Sequence, residues 1–167
     1  MKKFALLISL IIMLLSFTSC VKPPDMDGIL DSVLGTQTLQ EQVAESIGQY
    51  ENKETWTHGG FQDYTDYGIY SYTSANLNNN QYLKPVTYSD SEKLNGFLDN
   101  FETWIDTFKE NDPNDELVLN YNFDRSVIDN SDYFFISETD SDIEFSDYDV
   151  FVFDSQTNTL YYFHNNI

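Results

Sequence analysis

The strongest pattern in the sequence is a set of large apolar residues that recur at intervals of three and four positions. The set is Leu94, Phe97, Leu98, Phe101, Trp104, Ile105 and Phe108. This spacing places all seven side chains on one face of an α-helix. We therefore predict a long amphipathic helix over Ser89 to Phe108, begun by a capping-box pattern at Ser89-Asp90-Ser91-Glu92 and stopped by Asp112-Pro113.

Weaker patterns predict the elements that precede this helix. Thr38-Leu39-Gln40-Glu41 is another capping-box pattern, and it begins a predicted helix over Thr38 to Tyr50 that either docks on the domain or extends a stalk. Residues 52–63 are expected to be irregular, and a first strand is expected over Tyr67 to Thr73. A second extended segment, Tyr82 to Tyr88, contains Pro85, which restricts it to the edge of a sheet.

Alternating and continuous apolar runs in the C-terminal third predict strands. The segment from Leu117 to Phe123 alternates apolar and polar residues, as a half-buried strand does. Tyr133 to Ser137 and Val150 to Phe153 are apolar on both faces, which is typical of central strands. Thr159 to His164 is predicted to return as a hairpin partner.

Together these elements predict an α+β fold. We expect an antiparallel sheet of about five strands in meander order, with the long amphipathic helix packed on one face and a shorter N-terminal helix.

The first residues have a different pattern, which predicts export. Lys2 and Lys3 precede an apolar run from Phe4 to Leu15 that only Ser9 interrupts, and small polar residues follow it. A basic start, a short apolar stretch and a small-residue cleavage site are the parts of a secretory signal. The run is shorter than the roughly 20 apolar residues that a membrane-spanning helix needs.

The end of this leader, Phe17-Thr18-Ser19-Cys20, resembles the lipobox of bacterial lipoproteins. Phe17 departs from the family pattern, in which an aliphatic residue is usual at that position. The resemblance implies that the thiol of Cys20 receives a diacylglyceryl group, and that a signal peptidase then cuts before it. Two acyl chains are enough for stable anchoring. Cys20 is also the only cysteine in the chain, so no internal disulfide competes for it.

These features divide the chain into three parts. Residues 1–19 are the predicted signal peptide, residues 20–36 the lipidated cysteine and its tether, and residues 37–167 one α+β domain. We predict a lipid-anchored protein of the cell envelope that faces the extracytoplasmic side of a membrane.

The charge of the chain restricts its partners. The sequence has 28 acidic and 8 basic residues, and Lys2 and Lys3 lie in the leader, so the processed chain has a net charge of 6 − 28 = −22. Such a surface repels nucleic acid, whose binding depends on Lys and Arg, and it favours a monomer. An aromatic content of 16% argues against disorder.

An acidic segment is the first candidate site. Asp140, Asp142, Glu144, Asp147 and Asp149 crowd the residues before one predicted central strand. The spacing begins like a calcium loop. It then fails, because Phe145 stands where the turn needs glycine and Phe151 stands where a bidentate glutamate belongs. Weak calcium binding and a solvated acidic loop both remain open, and no other cofactor is expected.

Tyrosines and the sole arginine are the remaining candidates. Tyr64, Tyr67, Tyr70 and Tyr72 form either a sugar- or peptide-binding surface or ordinary sheet packing. Arg125, near Asp129 and Asp132, is expected to pair with carboxylates, with ligand binding as the alternative.

The sequence favours a non-catalytic binding or interaction module. It contains no Gly-x-Ser-x-Gly elbow, and no carboxylate pair stands out for glycoside hydrolysis. The open alternatives are a small envelope enzyme or carbohydrate-binding protein, and a regulator or inhibitor of an envelope protease. The expected partner is accordingly an envelope protein or a glycan.

Overall fold

The structure, a computed structural model, describes residues 37–60, 63–140 and 142–167. The predicted signal peptide, the tether and Cys20 lie outside these residues. Within the described ranges, no helix is both long enough and apolar enough to cross a membrane.

Three α-helices and six strands make up the described part of the chain. The helices are α1 (Leu39–Ile47), α2 (Tyr88–Asn111) and α3 (Glu116–Asn120). The strands are β1 (Asn52–Gly59), β2 (Tyr64–Ser71), β3 (Lys84–Pro85), β4 (Tyr133–Glu138), β5 (Asp147–Asp154) and β6 (Thr159–Asn166). A short 3₁₀ turn covers Arg125–Val127.

The strands form one antiparallel sheet in the order β1-β2-β6-β5-β4-β3, with a hydrophobic core on each face. Helices α2 and α3 cover one face of the sheet, which is called the α2 face. Helix α1 covers the other face, which is called the α1 face. The predicted α+β class is confirmed, and the strand count is close to the five expected. The meander is limited to β4, β5 and β6, because the β1–β2 hairpin joins the sheet beside β6.

Helix α2 follows its predicted apolar face. Leu94, Phe97, Leu98, Phe101 and Ile105 are all buried. The predicted capping box is wrong in detail, because the N-cap residue is Thr87 and its side chain bonds no helix amide. Its hydroxyl donates instead to the Asp90 carboxylate, at 2.5 Å.

Helix α1 docks on the sheet, which settles the alternative between docking and a stalk. The Thr38 hydroxyl accepts a hydrogen bond from the Glu41 amide at 3.2 Å, as half of the predicted capping box requires. Val43, Ala44 and Ile47 are buried in the α1-face core.

The prediction of an irregular segment is wrong for residues 52–59, which form the edge strand β1. All eight of its residues pair with β2. The apolar pattern of β1 is weak because the first half of the strand is exposed and only Trp56 packs into the core. The Trp56 ring stacks on the Tyr67 ring, with centroids 5.7 Å apart. Pro85 lies in the opposite edge strand, β3, as predicted. This strand covers only Lys84–Pro85 of the extended segment expected over Tyr82 to Tyr88, because the long helix already begins at Tyr88.

The predicted strand from Leu117 to Phe123 is wrong, because its first half is helix α3. Asp115 caps this helix: its Oδ1 accepts hydrogen bonds from the amides of Leu117 at 2.9 Å and Val118 at 3.4 Å. Leu117 is fully buried, whereas Leu119 is 65% exposed. The alternation of apolar and polar residues in this segment therefore does not indicate a strand with one buried face.

Alanine substitution distinguishes the two secondary structures. A strand would bury both leucines on one face, whereas α3 buries Leu117 alone. We expect Leu117→Ala to lower the free energy of unfolding by about 2–5 kcal/mol, and Leu119→Ala to change it by less than about 0.5 kcal/mol. Urea unfolding of both variants measures this, and equal losses would contradict the helix.

Candidate functional site

The α1 face changes from apolar to polar toward one end of the sheet. Five residues lie side by side across five strands there, and together they are called the polar row. They are Thr57, Asp66, His164, Asp149 and Ser137. The apolar residues of β5 and β6 on this face, such as Phe151 and Tyr162, lie farther toward the middle of the sheet.

His164 is the buried centre of the polar row. Its Nδ1 lies 3.0 Å from Asp149 Oδ1, and the Tyr162 hydroxyl donates to the same oxygen at 2.8 Å. Its side chain is 9% exposed. Its Nε2 is buried and has no hydrogen-bond partner among the described residues. The ring of Tyr64 lies against it, with centroids 4.8 Å apart.

The charge of His164 depends on two opposing effects. Burial opposes the charged form, but the hydrogen bond to Asp149 and the negative charges of Asp149, Asp66 and Asp147 outweigh it and raise the pKa of His164. The surrounding carboxylates thus favour the protonated form of the His164 imidazole.

An acidic pocket of about 550 Å³ opens next to this end of the sheet. Its lining consists of Phe97, Glu138, Thr139, Asp140, Asp142, Ile143, Glu144, Phe145, Ser146 and Asp147. Phe97 comes from α2, Glu138 from the end of β4 and Asp147 from the start of β5, and the β4–β5 connection supplies the rest. The pocket therefore combines carboxylates with apolar side chains.

Phe145 holds the connection against α2. Its φ of 57° is the left-handed conformation that glycine adopts most readily. Its ring packs edge-on against Phe97, with centroids 4.8 Å apart. A Cβ at Gly96 would lie 3.5 Å from the Phe145 ring, at ordinary van der Waals distance, so the ring lies directly against this part of the helix.

The five predicted calcium candidates separate into two places. Asp140, Asp142, Glu144 and Asp147 line the acidic pocket, whereas Asp149 bonds Tyr162 and His164. Asp147 also accepts a hydrogen bond from the Thr139 hydroxyl at 2.6 Å. Within the described ranges, no three acidic, histidine or cysteine side chains are grouped as metal ligands.

The tyrosine candidates are mainly core residues. Tyr67 and Tyr70 are fully buried and Tyr72 is 5% exposed, and burial raises the pKa of each hydroxyl. Tyr67 points into the α2-face core and the other two into the α1-face core. Only Tyr64 is partly accessible, so these positions fit the packing interpretation better than a binding surface.

Arg125 pairs with carboxylates of α2 and not with its neighbours in sequence. Its Nη1 donates to Asp99 at 2.7 Å and its Nε to Glu102 at 2.8 Å. The expected partners Asp129 and Asp132 bond backbone amides of nearby turns instead. The arginine therefore ties the 3₁₀ turn to the long helix.

Sequence reasoning missed the apolar half of the acidic pocket and the histidine–aspartate pairs. Ile143 and Phe145 interrupt an acidic run, and this interruption was the available signal for the pocket.

The pair of His58 and Asp115 joins distant parts of the chain. His58 Nδ1 lies 2.9 Å from Asp115 Oδ2, and the His58 ring stacks on the Phe108 ring with centroids 3.7 Å apart. These two residues are 57 positions apart in the chain, so no local pattern could join them.

Comparison with family models, with curated proteins and with solved structures finds no match for this chain.

The buried histidine predicts a specific pH dependence of stability. Because the folded-state pKa of His164 is raised above its unfolded value of about 6.5, protonation stabilises the fold at low pH. This stabilisation is fully present below about pH 6.5 and is lost as the pH rises through the folded-state pKa. We expect urea unfolding from about pH 6 to about pH 9 to show this loss in the natural chain and not in His164→Gln.

The variant His58→Gln is the matched control, since it removes the other histidine. It should keep the loss of stability that His164 causes. A natural chain whose stability does not fall over this range would contradict the assignment of His164.

Proposed function

We propose that this chain is a lipid-anchored envelope protein that works as a non-catalytic binding module, with the acidic pocket as its ligand site. The observation that carries the binding role is the combination of carboxylates and exposed apolar surface in one cavity. Ligand sites are typically concave and partly apolar, with a few polar groups that fix orientation.

Ile143 is the most accessible apolar part of this cavity. Its residue surface is 67% exposed, although it lies within a charged segment. Ile167, which is 48% exposed, lies beside Ser146 of the pocket lining, because its amide donates to Ser146 O at 2.8 Å. The pocket lining thus combines an exposed apolar group with carboxylates at a concave surface, as ligand sites commonly do.

The leader supports the anchored setting of this module. Met1 to Cys20 has the parts of a lipoprotein signal. A processed chain of net charge −22 is repelled by anionic lipid head groups. Retention at a membrane therefore requires the covalent lipid on Cys20.

Site-specific photo-crosslinking in cells tests both parts of the proposal. A photo-reactive phenylalanine analogue replaces Ile143 in the full-length chain. We expect a discrete adduct from this position, and we expect its yield to fall when Asp142→Asn and Glu144→Gln remove two pocket charges. Intact-mass measurement of the same protein should show a diacylglyceryl group, which Cys20→Ser abolishes.

The matched control carries the analogue at Tyr88, which is 95% exposed and does not line the pocket. Identical adducts from both positions would contradict a ligand site at the pocket. A natural chain without lipid on Cys20 would contradict the anchor.

A further inference from the structure

We propose that the occupant of the acidic pocket is a lysine or arginine side chain, carried next to an apolar residue on an exposed segment of a partner protein. This inference rests on the proposed function, since it names the chemistry of the ligand at the same site.

A cationic group of the chain itself already lies at the rim of the pocket. Lys93 Nζ is 2.6 Å from Glu138 Oε1 and 5.8 Å from the centroid of the Phe97 ring. Glu138 and Phe97 both belong to the pocket lining. An ammonium group thus meets a carboxylate and an aromatic ring here, which is the combination that favours cation binding.

Three other carboxylates of the pocket lining, all on solvent-exposed residues, have no such cationic partner. Asp140, Asp142 and Glu144 form no ion pair with any lysine, arginine or histidine in the described ranges. The other lysine and arginine ion pairs of those ranges join Lys53 to Glu41, Lys84 to Asp90, and Arg125 to Asp99 and Glu102. The two histidines hydrogen-bond to other aspartates, Asp115 and Asp149. A cationic side chain of a partner can therefore pair with these carboxylates without displacing a cation of the domain.

The apolar part of the pocket decides which cation fits. A bare metal ion makes no use of Ile143 or Phe145, and the described carboxylates are not grouped as metal ligands. Lysine and arginine have an apolar stem below a charged head, and such side chains lie along apolar surface while their charge meets a carboxylate. The exposed side chain of Ile143 then contacts the apolar residue next to the cation.

A pair of peptides tests this assignment with the full-length protein purified in non-ionic detergent. The probes are acetyl-Gly-Leu-Lys-Leu-Gly-amide and the same peptide with norleucine, which keeps the stem and lacks the charge. Calorimetric titration should show that the lysine peptide binds at least about tenfold more tightly. Asp142→Asn together with Glu144→Gln should remove this difference.

The control variant is Asp106→Asn together with Glu110→Gln, which removes the same charge from exposed positions of α2 outside the pocket lining. It should bind the lysine peptide as the natural chain does. An equal loss in the control would show unspecific charge attraction and would overturn the inference.

Two further outcomes separate this inference from the proposed function. Equal affinity for both peptides, or binding of calcium chloride alone, would overturn the lysine assignment and leave a binding pocket in place. No binding of any of these probes, together with no adduct at Ile143, would overturn both.

Discussion

Burial of both faces of the β5–β6 pair is the constraint on which the rest of the structure depends. On β5, Val150 and Val152 contribute to the core under α2, while Phe151 and Phe153 contribute to the core under α1. A strand pair that is apolar on both faces is stable only when a layer covers each face. Helices α1 and α2 therefore have to lie on opposite sides of the sheet, and the remaining strands extend the sheet outward from this pair.

The same pair explains why charge collects at one end of the domain. Beyond the apolar part, β5 begins with Asp147 and Asp149, and β6 ends with His164 and its neighbours. The buried apolar part of the two strands holds these aspartates near His164, and their negative charges favour the protonated form of its imidazole.

Elements with strong periodicity were predictable from the sequence, and elements that depend on distant partners were not. The α2 face and the β5–β6 pair follow directly from their apolar spacing. β1 was missed because an edge strand buries little, and α3 was missed because the cap at Asp115 outweighs an apparent alternation. The acidic half of the candidate site was visible as a charge cluster. Its apolar half and the contact of Phe145 with Gly96 depend on tertiary packing.

Native-state amide hydrogen exchange, resolved by residue, tests the central claim most directly. If the β5–β6 pair is the unit on which the fold depends, the amides of Val150 to Phe153 and of Leu160 to Phe163 should exchange only by global unfolding. The amides of the pocket loop, from Ile143 to Ser146, should exchange at lower free energy. The account would be contradicted if the β5 and β6 amides exchanged before those in the buried part of α2.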